Sequence, residues 1–351
     1  MIDTGKMADI IAVDGETFKK LVKCIKTNKI MPLIGQSSYT ARGVFKNAHI
    51  NTIFPSLFRK IPQIYDRRER IYTPDDDFFD IDWIERGNEK VIVALHGLEG
   101  CSENHYVVWM LKYFAERQWD TVGMNFRSCS GEMNKQLKSY NMGETMDVQF
   151  LLHYLVEEKK YRQIAIVGFS LGGSVCLNLL GRDVAQLPSQ LIGGVAFSVP
   201  CDIPTANVEI NKWQNFIYLQ RFLVSLNEKA AIKSKQFPEI FDLQLKKPRN
   251  FDAFDEAYTA PAHGFESAME YWTKSSSLQH LPQLDRPVLL VNALDDSFLS
   301  KECFPKDLAQ EHQYLHLEIP EYGGHIGFVG QNKQGPYWPE KRTFEFLDKL
   351  V

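Results

Sequence analysis

The sequence predicts an α/β fold, a mostly parallel central sheet with helices on both faces. Three observations predict it. Six short apolar runs rich in β-branched residues recur at 91–95, 121–126, 164–167, 195–198, 288–292 and 315–319. Most of these runs are apolar without interruption, the pattern of strands buried on both sides. Helix-length segments at 104–116, 145–159, 171–180 and 340–350 separate or follow them, and such alternation implies right-handed crossovers between parallel neighbours.

Each element has its local reason. Residues 70–73 and 79–84 flank the turn-like stretch 74–77, which predicts an antiparallel hairpin leading into the sheet. The strand at 91–95 runs into His96-Gly97-Leu98-Glu99-Gly100, and the strand at 164–167 into Gly168-Phe-Ser170-Leu-Gly172-Gly173 followed by a helix. From 202 to 282 no convincing strand is found, only helical patterns, with Trp213, Phe216, Ile217, Leu223 and Val224 on one stripe. This interval is expected to be a helical, lid-like insertion whose aromatics, Trp213, Phe216, Phe222, Phe251 and Phe254 among them, wall an acyl pocket; an ordinary helical excursion packed on the core is the alternative. The whole chain is expected to form a single domain, with an N-terminal extension over about 1–65 and the insertion over about 202–282.

Composition bounds the function. The chain of 351 residues is 44% apolar and 24% charged, ordinary for a globular protein with one sizeable core. A net charge of −4 gives no electrostatic footprint for nucleic acid and no polybasic anchor, so a small-molecule partner is expected. Six cysteines are scattered without a CxxC pair, which argues against a zinc site or a disulfide framework. The N-terminus lacks the apolar core of a signal peptide, and no run approaches a membrane span. The expectation is a soluble, cytoplasmic protein, with peripheral membrane contact left open. No glycine-rich nucleotide fingerprint accompanies the first strand.

The chemistry is carried by three segments in order. Gly168-x-Ser170-x-Gly172 between a buried strand and a helix is the context of a nucleophile elbow, which presents a serine at the carboxyl edge of a sheet. A serine hydroxyl needs a base and an acid to orient that base. The strand at 288–292 ends near Asp295-Asp296, and Gly323-Gly324-His325 follows the last strand. Counting three residues beyond the small Ala293 favours Asp296 as the acid, with Asp295 the alternative. The backbone amides of Leu171, after the nucleophile, and Leu98, after the first parallel strand, are the candidate oxyanion donors. His96 reads as structural, His312 and His316 as packed or solvated, and Asp75 to Asp77 as a turn.

With these segments in place the chain resembles the YheT-like family of α/β-hydrolases, to which animal lipid hydrolases of the ABHD type are related. The resemblance runs from about Pro32 to the C-terminus. It includes Ala41-Arg-Gly43 through His49 to Phe58, Asn125-Phe-Arg127-Ser-Cys129-Ser130-Gly131, and Gly143-Glu144-Thr145-Met-Asp147. Three positions depart from the family pattern: Ser128 stands where a glycine is usual, Asn51 where a glutamine is, and Ser297 where a proline is. The resemblance implies hydrolysis of carboxylic esters, by short-chain esterase or acylglycerol lipase activity, with no cofactor and no metal. An acyltransferase using the same residues, or a silent binding protein, are the rival readings.

Overall fold

A computed structural model describes residues 33–241 and 247–351; the reading of the N-terminus as lacking a signal peptide, and the first half of the expected extension, lie outside them. Nine strands form one sheet in the order β1-β9-β8-β7-β6-β4-β5-β3-β2. They are β1 (Leu33–Ile34), β2 (Arg67–Thr73), β3 (Asp77–Ile84), β4 (Lys90–Leu95), β5 (Asp120–Asn125), β6 (Gln163–Phe169), β7 (Leu191–Phe197), β8 (Val288–Val291) and β9 (Leu315–Glu318). Only β3 runs against the rest, pairing antiparallel with β2 and β5. The mostly parallel sheet, the upstream hairpin and the six apolar strands are as the sequence predicts, with bounds shifted by a few residues.

The period-2 alternation of side chains divides the core in two. Val91, Val93 and Leu95 of β4 face one cluster and Ile92 and Ala94 the other. Helices Met146–Glu157 and Leu171–Arg182 cover the first face through Leu151, Leu155, Val175 and Leu179. Helices His105–Ala115 and Trp338–Leu347 cover the second through Met110, Leu111, Phe114 and Leu347. Strands sealed on both faces have no room for polar alternation, which is why their sequences read as continuous apolar runs. The hairpin is different: β3 is buried along its whole length yet carries three aspartates. Arg68 and Arg70 on β2 sit in register opposite Asp82 and Asp80 and pair with them by two hydrogen bonds each at 2.8–3.1 Å, so the charges set the register.

Two segments differ in detail from what the sequence leads one to expect. Part of the expected N-terminal extension is integral to the sheet and to its carboxyl edge: β1 pairs with β9, and helix Ala48–Phe58 packs beneath the loop that carries His325. The insertion consists of helices Ile203–Ile210, Phe216–Gln236 and Ala268–Ser275, joined in part by the short helical turns of Phe251–His263. Its buried stripe differs from the expected one. Leu219 and Leu223 are buried, while Trp213, Phe216, Ile217 and Val224 are exposed. Trp213 is not in the helix at all: Trp213–Asn215 is a separate 3₁₀ turn, pinned by Asn215 Nδ2 donating to the carbonyls of Glu209 and Ser297 at 3.0 and 2.7 Å. Within the helix the buried pair Leu219 and Leu223 lies one turn apart, and Phe216, Ile217 and Val224 are left to solvent.

Candidate active site

Strand β6 ends in a turn that only small residues allow. A Cβ on Gly168 would lie 2.2 Å from the carbonyl oxygen of Gly172, and a Cβ on Gly172 would lie 2.4 Å from that of Leu95. Between them Ser170 adopts φ 52°, ψ −115°, a conformation that costs a non-glycine residue on the order of 1–3 kcal/mol and is kept only where the surroundings over-determine it. Those surroundings are the Ser170 N–H donating to Phe197 O at 2.8 Å and the Ser170 carbonyl accepting from Ser174 N at 2.9 Å.

His325 meets Ser170 from the loop after β9. Its Nε2 lies 2.9 Å from Ser170 Oγ, and its Nδ1 lies 2.9 Å from Asp296 Oδ2 and 3.2 Å from Oδ1. An ionised carboxylate only accepts, so Nδ1 carries the proton and Nε2 is free to accept from the serine hydroxyl. Asp296 is buried and also accepts from Phe298 N at 3.0 Å. Asp295 faces elsewhere, accepting from Gly324 N at 2.9 Å; burial pushes its carboxyl up to about 6, and the neighbouring Asp296 charge adds to the rise.

The imidazole is held by groups that the sequence did not announce. His325 N donates to Thr52 Oγ1 at 2.9 Å, and Ile326 N to Ser198 Oγ at 3.0 Å. Gly324 has φ 56°, and a Cβ there would lie 2.5 Å from Ala48 O. Asn51, one of the departures from the family pattern, is buried, donating to Phe45 O at 2.8 Å and accepting from Val329 N at 3.0 Å. Ser128, where a glycine is usual, has φ 66°, the left-handed backbone that explains the usual glycine. Ser297, the third departure, donates from Oγ to Asn215 Oδ1 at 2.7 Å. Hydroxyl and amide partners 128 to 278 residues from the loop leave no periodic trace, so only the fold could bring them together.

The loop after β4 closes the other side. Gly97 N donates to Tyr106 Oη at 3.0 Å and Glu99 N to Tyr140 Oη at 2.9 Å, while among the described residues the amides of Leu98 and Leu171 have no protein acceptor. His96 is structural: burial holds its pKa down to about 4, and the neutral ring lies 2.8 Å from Gly97 O through Nδ1 and accepts from Phe126 N at 3.2 Å through Nε2.

A cavity opens over Ser170, with Leu98, Leu171 and Phe298 on the core side. Phe222, Leu226, Phe251, Phe254 and Tyr258 supply the insertion's wall. Trp213 and Phe216, expected there, are 88% and 59% exposed and do not line it. Asp255 is the buried acid in that wall, held by Trp272 Nε1 at 2.7 Å and Thr259 Oγ1 at 2.6 Å, and burial pushes it up to about 6. Elsewhere, the carboxylates of Asp75 and Asp77 accept from Arg127, with Asp147 completing the cluster. His312 Nε2 lies 3.2 Å from Pro282 O, and His316 packs on Phe346. The five described cysteines are unpaired, and among the described residues no helix is long and apolar enough to cross a membrane.

The chain is similar to several known proteins. A family model described as the alpha/beta hydrolase fold matches residues 90–329. YheT of Escherichia coli (strain K12), an esterase by name, is 32% identical over 311 residues, 86% of this chain and 91% of that protein. Phospholipase ABHD3 of Mus musculus is 25% identical over 95% of this chain and 81% of its own length. A monoacylglycerol lipase of Saccharomyces cerevisiae is 26% identical over 80% of this chain and 63% of its own. Among solved structures, the Pyrococcus furiosus esterase Pf2001 superposes with a TM-score of 0.55 at 17% identity, covering 83% of this chain and 95% of that one.

Proposed function

We propose that this chain, which belongs to the YheT-like family of α/β-hydrolases, is a serine hydrolase of carboxylic esters, acting on short-chain esters, acylglycerols or both. The observation that carries the reading is the hydrogen-bonded run Asp296–His325–Ser170 at the floor of an apolar cavity. As the ester carbonyl enters, Ser170 Oγ attacks its carbon while His325 Nε2 takes the hydroxyl proton. Asp296 keeps the imidazole in the tautomer that can accept, and stabilises the imidazolium that results. The amides of Leu98 and Leu171 receive the oxygen on which negative charge develops. Because both amides lack a protein acceptor among the described residues, they need not break a bond to do so. His325 then returns its proton to the leaving alcohol, and a water activated by the same nitrogen releases the acyl group from Ser170.

The names of the relatives support ester and acylglycerol substrates, and the aromatic wall supports an acyl chain rather than a polar one. The test is product analysis. Purified enzyme is incubated with monoacylglycerols and short activated esters, with and without an acceptor alcohol. Release of free acid as the main product in both conditions, lost in Ser170→Ala, supports hydrolysis. Transfer to the acceptor as the main product would make the chain an acyltransferase, and no turnover of any ester would make it a binding protein.

A further inference from the structure

Glu99 lies between two parts that a serine hydrolase has to bring together, the turn that offers the oxyanion amide and the helix that roofs the cavity. Residues 97–100 close as a β-turn, with Gly100 N donating to Gly97 O at 3.0 Å and with Leu98 and Glu99 at its corners. Glu99 has φ 53°, a left-handed conformation that suits glycine and that a side chain makes unfavourable. Something must hold it there, and its carboxylate is the best-connected group on the loop. The side chain is only 6% exposed. Tyr140 Oη donates to Oε1 at 2.5 Å while accepting Glu99's own N–H, Lys229 Nζ donates to Oε1 at 2.9 Å, and Ser225 Oγ donates to Oε2. Ser225 and Lys229 are four residues apart on helix Phe216–Gln236, so one face of that helix grips the carboxylate. Tyr140 is in turn fixed by stacking on Phe126, with ring centroids 5.4 Å apart and planes 4° apart. Glu99 and Lys229 both line the cavity over Ser170.

Resting on the serine-hydrolase reading above, we propose that Glu99 is a positioning residue. Its carboxylate, held by Ser225 and Lys229 of the roofing helix, keeps the Leu98 amide aimed at the developing oxyanion, so that seating the helix and completing the oxyanion hole are one event. When the grip is lost, Glu99 relaxes toward negative φ, the turn closed by Gly100 N and Gly97 O loosens, and the Leu98 N–H, in the peptide between Gly97 and Leu98, loses its fixed direction. The nucleophile, base and acid do not share this support, since they hang on the loops after β6, β8 and β9.

The test uses the full chain, an activated ester, and the labelling rate of a fluorophosphonate. Removing one oxyanion donor outright costs about 10²–10³-fold in kcat, so misaiming it is expected to cost roughly 10–100-fold in Glu99→Gln and in Lys229→Met. KM should change less than about threefold, and labelling should slow in parallel with kcat. The double variant Glu99→Gln/Lys229→Met should be no slower than the slower single variant, because both break the same grip. Glu99→Gly, which removes the carboxylate but also the strain that drives the relaxation, should be faster than Glu99→Gln, and Ser225→Ala, the mildest change, should shift kcat in the same direction as Glu99→Gln. A raised KM at unchanged kcat would overturn the proposal, and so would a double variant equal to the product of the singles. So would a Glu99→Gly variant no faster than Glu99→Gln. The serine-hydrolase reading itself fails separately, if the wild-type enzyme is not labelled at Ser170.

Discussion

Ser170, His325 and Asp296 were legible as residues because each sits in a local signature: a serine between glycines after a buried strand, a histidine in a glycine-rich loop, an acid three positions past a small strand end. Their supports were not, since Thr52, Ser198 and Asn51 reach the His325 loop from 128 to 278 residues away. Ser170→Ala and His325→Ala are each expected to lower ester turnover by about 10⁴-fold or more, because the proposed nucleophile and base would act as a unit; steady-state kinetics on folded variants checks this. Asp296→Asn should cost far more activity than Asp295→Asn, because only Asp296 touches the imidazole. Asp295 instead carries a pH signature. Its folded pKa of about 6 lies above the ordinary carboxylate value, so ionising it is disfavoured in the folded state, and stability is lost as pH rises through that value. Asp295→Asn keeps an acceptor for Gly324 N and removes the buried charge. Its Tm should exceed that of the wild type at pH 7–8, and the difference should vanish near pH 4; a constant difference across that range would contradict the assignment.

At the level of elements, the strands of the parallel sheet were readable because burial on both faces writes one unbroken apolar run, whereas in the insertion a 3₁₀ turn takes Trp213 out of the helix and the helix buries Leu219 and Leu223 rather than the whole expected stripe. Trp213 and Phe216 lie on the solvent side, while Phe222, Phe251 and Phe254 line the cavity as expected. This separates two outcomes. Burying a methylene is worth about 0.8 kcal/mol, so lengthening an acyl chain by two carbons should raise kcat/KM roughly tenfold until the cavity is filled. Phe222→Asn or Phe254→Asn should flatten that dependence and leave acetate esters nearly unaffected, while Trp213→Gln should leave the profile unchanged. A series of p-nitrophenyl esters of increasing length measures it, and a flattened profile in Trp213→Gln alone would contradict the wall as described.

For the molecule as a whole, one buried cation ties three separate pieces together. Arg127, after β5, bonds Asp75 and Asp77 of the hairpin turn and Asp147 at the start of helix Met146–Glu157, at 2.7–3.2 Å. The run of acids at 75–77 was read as a turn from sequence, but its partner could not be, since nothing local links residue 127 to it. Removing one member of such a cluster strands the charges left behind, at a cost of about 3–5 kcal/mol, so Arg127→Met should lower the urea midpoint well beyond any surface Arg→Met control. An unchanged midpoint would mean that the cluster is not held by its charge. The account of the whole rests on one covalent event at one atom. Peptide mapping of the chain after reaction with a fluorophosphonate is expected to show a single adduct, on Ser170 Oγ, slowed strongly in His325→Ala and absent in Ser170→Ala. An adduct on another residue, or full ester turnover by a folded Ser170→Ala chain, would contradict it.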